Sequence, residues 1–388
     1  MRNYLIFFSA LALVLPLHAE AQQPRSEIEP AIPSVEEAPI AYLIDAKSGQ
    51  VLFSREADRR FMPASITKTM TTFLAFEWME EGRLFPQQVY TIRPETFRKW
   101  HRVGSTMFLP ADARVTVDDL LHGITTISAN DGSIVLAEGA AGTLEDWLAA
   151  MNAKASEIGM TDSRFGTPNG WMDEGGTFTT ARDLALLGQT MIARHPSKYA
   201  HFFGATGFEY NGIAQRNHDP ITGIVRGADG IKSGFTNQAG YGFLGSAERD
   251  GQRLIMVVAG SPRGPMRNEA ARGLIEWGFS SFDSRLLAPA EQRIATARVQ
   301  EGAARSVGLR AGGPVRIAIP RGKDPKVSLS VRYEGPIRAP ISQGERIADL
   351  IVEIEGMPES RIPLYAEQDV VVAGPVQRLV NGFAGWVS

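Results

Sequence analysis

The sequence predicts a mixed α/β body over residues 37–285, followed by a small all-β domain over 286–372. Three observations carry that reading. Strand-like runs stand at both ends of the first segment, with helical patterns between them. Past Ala288 the pattern changes to short alternating strands parted by Gly and Pro turns. Finally, 388 residues with 44% hydrophobic and 21% charged content are enough for two domains with a core each.

The N-terminus sets the compartment. Arg2 precedes an apolar stretch from Tyr4 to Leu17, and Ala19-Glu20-Ala21 then stands before Gln22. A charged start, a short apolar run and an A-x-A site predict a cleaved export signal over 1–21 and an exported protein, which the resemblance described below would place in the periplasm. An uncleaved anchor is the rival. No Cys follows the apolar run, so a lipoprotein is excluded. Residues 22–36, rich in Pro and Glu without periodicity, read as a linker.

Composition removes several classes. A net charge of −3 gives no support to nucleic-acid binding. With no cysteine in the chain, thiol catalysis and Cys-based metal sites are out. The six His residues show no H-E-x-x-H spacing, and there is no G-x-S-x-G elbow. A zinc peptidase and a Ser-His-Asp hydrolase are therefore disfavoured, and His122, in mid-helix, is read as packing.

In chain order, Ile40, Tyr42 and Ile44 alternate, Lys47-Ser48-Gly49 turns, and Val51 and Phe53 alternate again, a hairpin. Thr69 to Glu77 is helical, stopping at Gly82. Thr116 with Asp119 and Thr143 with Asp146 are capping boxes that open helices over Val117–Ile127 and up to Gly159. Thr180 and Asp183 begin another helix, Leu184 to Ala193. Leu254 to Val258 is apolar at every position, a buried strand, and a helix over Asn268–Gly278 closes the body. In the β-domain, Val315-Ile317-Ile319, Val327-Leu329-Val331-Tyr333 and Leu350-Val352-Ile354 alternate without a titratable cluster, a spacer or docking module. The tail, 373–388, puts Val376, Leu379, Val380, Phe383, Trp386 and Val387 on one helical face. It either lies on the membrane surface or packs back onto the protein.

Chemistry enters at Pro63-Ala64-Ser65-Ile66-Thr67-Lys68. A Ser in the first helical turn keeps its N–H free, and Lys68, one turn on, reaches its oxygen. Alone, Ser-x-x-Lys is also what an ordinary helix cap beside a solvated Lys looks like. Two further stretches change its meaning: Ser128-Ala129-Asn130 on a break between helices, and Lys232-Ser233-Gly234-Phe235-Thr236 on a strand. In this order the three form the signature of active-site-serine, penicillin-recognising enzymes.

The sequence resembles the low-molecular-weight penicillin-binding proteins, specifically the serine-type D-alanyl-D-alanine carboxypeptidases. Beyond the three motifs, Thr167-Pro168-Asn169-Gly170, Thr180 to Ala185 and Asp229-Gly230-Ile231 carry the likeness. So does the layout of body, β-domain and amphipathic tail. It implies a β-lactamase/transpeptidase-like catalytic domain acting on peptidoglycan stem peptides, acylated by β-lactams, with no metal or cofactor. Ser233 stands where most relatives have Thr, and Ala129 where many have Gly.

The chemistry asks for these residue types. Ser65 needs a neutral base, and Lys68 serves if burial and a second cation, Lys232, lower its pKa. Ser128 is expected to bridge the lysines and protonate the leaving amine, and Asn130 to hold the substrate amide and steady Lys68. Lys232 to Thr236 form an edge strand for the substrate. The N–H groups of Ser65 and Phe235 make the oxyanion hole. Thr236 and, by the resemblance, Arg267 take the terminal carboxylate; the rival reading of Arg267 is a surface loop residue. A serine β-lactamase lacks support, because no Glu-x-x-Leu-Asn follows Asn130. A DD-endopeptidase and a penicillin-sensing or peptidoglycan-binding protein remain open.

Overall fold

The computed structural model describes residues 28–374; the expected export signal and the expected tail beyond Gly374 lie outside them. The body is built on a five-stranded antiparallel sheet of order β2-β1-β9-β8-β7. β1 (Ile40–Asp45) and β2 (Val51–Arg55) are the N-terminal hairpin. Two ribbons, β3 (Val89–Thr91) with β4 (Arg114–Thr116) and β5 (Gly207–Tyr210) with β6 (Ile213–Arg216), border the helical insert. β7 (Ala228–Thr236), β8 (Gly240–Arg249) and β9 (Gln252–Ser261) return the chain to the sheet.

β9 is central, and this explains its unbroken apolar run. Ile255, Val257 and Ala259 face the helical insert, while Leu254, Met256 and Val258 face the opposite core. β1 divides the same way, with Ile40, Tyr42 and Ile44 on one side and Ala41 and Leu43 on the other. The insert supplies α1 (Lys68–Glu80), α2 (Pro94–Trp100), α3 (Val117–Thr126), α4 (Asn130–Ala141), α5 (Leu144–Glu157), α6 (Ala181–Arg194) and α7 (Pro196–Phe202). Thr116, Thr143 and Thr180 cap α3, α5 and α6, each accepting from the backbone N–H three residues on. α8 (Gly264–Ser280) covers the other face through Ala270, Ala271, Leu274 and Ile275. It starts four residues before the expected Asn268, because Pro265 is tolerated in a first turn whose N–H groups have no helical partner.

The C-terminal part is all β. β10 (Phe282–Ala288) pairs with β13 (Val315–Pro320). β11 (Arg293–Gln300), β12 (Ser306–Ala311), β14 (Val327–Arg332), β15 (Ile337–Arg338), β16 (Arg346–Ile354) and β17 (Ser360–Ala366) form a sheet of order β14-β16-β17-β12-β11-β15. The ribbon and the sheet share one core, including Val315, Ile317, Leu309, Leu350 and Leu364. The joint to the body is buried: Phe282 and Ala318 pack into the core that holds Leu43, Leu52 and Leu274, and hydrogen bonds cross beside them. Gln50 Nε2 donates to Ala318 O at 2.8 Å, its Oε1 accepts from Ala318 N at 2.5 Å, and Val51 N donates to Ser360 Oγ at 2.9 Å.

Candidate active site

Ser65 lies in a 3-10 turn, Ala64–Thr67, that runs directly into α1. Ala64 holds φ at 50°, a left-handed value for a residue with a Cβ. Ser128 does the same with φ 65° between α3 and α4. Backbone strain of this kind costs about 1–3 kcal/mol per residue and is held only by surrounding structure. Two glycines allow that structure to close in. A Cβ on Gly234 would sit 2.5 Å from Pro63 O, and one on Gly170 would sit 1.8 Å from Ala64 O. Strand β7 and the Asn169-Gly170 loop thus press on the nucleophile turn from two sides.

The turn, the α3–α4 break and edge strand β7 line one cavity of about 440 Å³ with Ser65, Ser128, Asn130, Ser233, Gly234, Phe235, Thr236 and Arg267 on its wall. Lys68 and Lys232 are buried. Lys68 Nζ lies 2.8 Å from Ser65 Oγ, 2.9 Å from Asn130 Oδ1 and 2.6 Å from Asn169 O. Burial, and then the Lys232 amine, hold its pKa well below the usual lysine range, against the pull of Asp131. A neutral amine fits the three contacts: two N–H bonds serve the carbonyl oxygens, and the lone pair takes the Ser65 hydroxyl hydrogen. Burial brings Lys232 down to about 7, with Arg267 adding and Asp219 opposing.

Among the described residues no hydrogen bond joins Ser128 to either lysine; Lys232 Nζ donates instead to Ser233 O at 3.1 Å. Asn130 Nδ2 donates to Val103 O at 3.0 Å, which fixes its oxygen on Lys68. Thr236 Oγ1 accepts from Ala239 N at 3.0 Å and so shapes the turn after β7. Arg267 is a buried residue of α8 rather than a surface loop residue, its Nη1 donating to Gly242 O at 2.8 Å. Burial lowers its pKa only to about 10, so it stays a cation at neutral pH.

Some of the wall was not legible in the sequence. Asn169 acts through its carbonyl, and a backbone contact leaves no side-chain signature. Asp131, beside Asn130, accepts from Met107 N at 2.9 Å and Leu109 N at 3.2 Å and anchors the loop that carries Gly104 and Ser105 to the cavity. Trp171, Met172, His218 and Tyr241 also face the cavity. Phe235, 47% exposed, stacks on Tyr241 with centroids 4.1 Å apart, an apolar rim.

A hydroxyl paired with a buried, proton-poor amine beside an open strand edge defines a serine acyl-transfer hydrolase. The comparisons give the family. Residues 27–263 match Peptidase S11, D-alanyl-D-alanine carboxypeptidase, and residues 282–372 match the C-terminal domain of penicillin-binding protein 5. The chain belongs to the Peptidase S11 family and is a serine-type D-alanyl-D-alanine carboxypeptidase. It is 32% identical to DacA of Haemophilus influenzae over 337 residues, 86% of this chain and 85% of the relative. Its identity to DacC of Escherichia coli is also 32%, over 86% of this chain and 84% of that one. The crystal structure of penicillin-binding protein 5 from Haemophilus influenzae matches with a TM-score of 0.72 at 30% identity, covering 88% of this chain and 99% of that one. Penicillin-binding protein D2 from Listeria monocytogenes, solved in an ampicillin-bound form, matches at 0.57 and 28% identity over 63% of this chain and 98% of its own.

Proposed function

We propose that Ser65 is the nucleophile that cleaves the terminal D-Ala from peptidoglycan stem pentapeptides. The observation that carries this is the Lys68 amine, buried and 2.8 Å from Ser65 Oγ. Lys68 takes the hydroxyl proton as the Ser65 oxygen attacks the penultimate D-Ala carbonyl. The N–H groups of Ser65 and Phe235 hold the oxyanion. As the C–N bond breaks, Ser128 gives its hydroxyl proton to the leaving amine, which departs as D-Ala, and Lys68 passes to Ser128 the proton it took from Ser65. Water then adds to the ester as Lys68 takes one of its protons, and Lys68 returns that proton to the Ser65 oxygen as the ester bond breaks. Asn130 holds the substrate amide, the backbone of Lys232 to Thr236 pairs with the peptide as an added strand, and Lys232, Ser233, Thr236 and Arg267 receive the carboxylate.

β-Lactams present the same acyl carbon and acylate Ser65. The domain layout follows: an export signal over 1–21, a linker over 22–36, a catalytic domain over 37–285, a β-domain over 286–372 and an amphipathic tail over 373–388. It supports a periplasmic enzyme resting on the outer face of the inner membrane. Among the described residues no helix is long and apolar enough to cross a membrane. The test is D-Ala release from a soluble acyl-D-Ala-D-Ala peptide by the parent and by Ser65→Ala. Release lost in the variant is expected; equal release by both would refute the assignment.

A further inference from the structure

Asp118, His122 and His201 meet on the surface behind the second motif. Asp118 and His122 stand one turn apart on α3, so both side chains leave the same face. His201 comes from α7. His201 Nε2 lies 3.0 Å from Asp118 Oδ1, and His122 Nε2 lies 3.8 Å from Asp118 Oδ2. One ligand atom from each of the three residues falls within 4.8 Å of the others. A tetrahedral zinc ion with bonds of about 2.0–2.1 Å sets its ligand atoms about 3.3 Å apart, and the two histidines stand either side of that value from the two oxygens of Asp118, one oxygen each. The rings are held in place: the two imidazoles meet edge to face at 5.0 Å, and buried Phe202 touches both at 4.9 and 4.5 Å.

The charge around the cluster is what separates it from an ordinary ion-pair network. Glu77 likewise pairs with His195 at 2.7 Å, but Lys154 at 2.9 Å and Arg194 at 3.2 Å neutralise it. Among the described residues Asp118 has only the two imidazoles as ion-pair partners, and neither Lys nor Arg reaches it. A carboxylate, two imidazoles and a side open to solvent make a three-ligand set with a free fourth position. We propose that Asp118, His122 and His201 bind a divalent cation of the zinc type, clasping α3 to α7. The ion is structural: it sits on the helix that leads into Ser128 and takes no part in the acyl chemistry.

The test uses the full mature chain without an affinity tag, stripped of metal and titrated calorimetrically with zinc chloride. One ion per chain is expected, with affinity reduced more than about tenfold in His201→Ala and in Asp118→Asn. The His201 side chain is 57% exposed, so its loss leaves the fold intact, and an unchanged far-UV spectrum checks this. Zinc should also raise the thermal midpoint of the parent and not that of His201→Ala. Binding that saturates only in the millimolar range, or equal binding by parent and both variants, would overturn the site.

Discussion

Lys68 and Lys232 are two buried amines that must carry different charges at the same pH. In the proposed mechanism Lys68 is neutral to accept the Ser65 proton, and Lys232 is charged to meet a carboxylate. Replacing Lys68 by Ala should slow acylation by about 10²–10⁴-fold, measured by stopped-flow with a reporter β-lactam. For Lys232 the sign is definite. Its pKa in the free enzyme is about 7, so its positive charge is lost as pH rises through that value and substrate binding weakens on the alkaline side. The profile of kcat/KM against pH should therefore fall above about 7, and Lys232→Arg, which keeps its charge, should move that limb upward. An unmoved limb would remove Lys232 from the binding role. Among the described residues the bridge expected from Ser128 to the lysines is absent. The three motifs that bring Ser65, Lys68, Ser128, Asn130 and Lys232 into one region were legible all the same, because they are side chains at recurring spacings. Asn169, which holds Lys68 by its carbonyl, was not, and neither was the burial that makes Arg267 a wall residue.

Among the elements, β7 and the 3-10 turn depend on close approach. Gly234→Ala would push β7 off Pro63 O and misplace the strand edge relative to Ser65. A displacement of that order should cost about 100-fold in kcat/KM for peptide release. If Gly234→Ala keeps full activity, the edge strand is not the substrate's partner. The elements easiest to read were those whose burial is one-sided or complete. β1 shows its alternation because its two faces enter different cores, and β9 shows none because both its faces are apolar. The capped helices α3, α5 and α6 announced their starts through Thr with an Asp three residues on. β10 and β11 were not legible. Most of β10 is exposed on both faces and shows no period of two; β11 alternates only over its last five residues, where buried Ala297 and Val299 stand between Thr296, Arg298 and Gln300.

At the scale of the whole molecule, the body and the β-domain are joined through Gln50 on the turn of the first hairpin. Gln50→Ala leaves the N–H and C=O of buried Ala318 without their partners, at about 1–3 kcal/mol for each group. Calorimetry should show a lowered or split unfolding transition, while peptide release at low temperature stays near the parent value, because the cavity lies elsewhere in the body. The two-domain layout was legible from the change of texture near Ala288; the joint was not, since a lone Gln in a turn carries no sign of what it meets. The proposed chemistry rests on one covalent bond at Ser65. Intact mass of the mature chain during incubation with benzylpenicillin, followed by peptide mapping, tests it directly. One adduct per chain on the peptide carrying Ser65, absent in Ser65→Ala, is the expected result. An adduct on another residue, or none, would contradict the serine acyl mechanism.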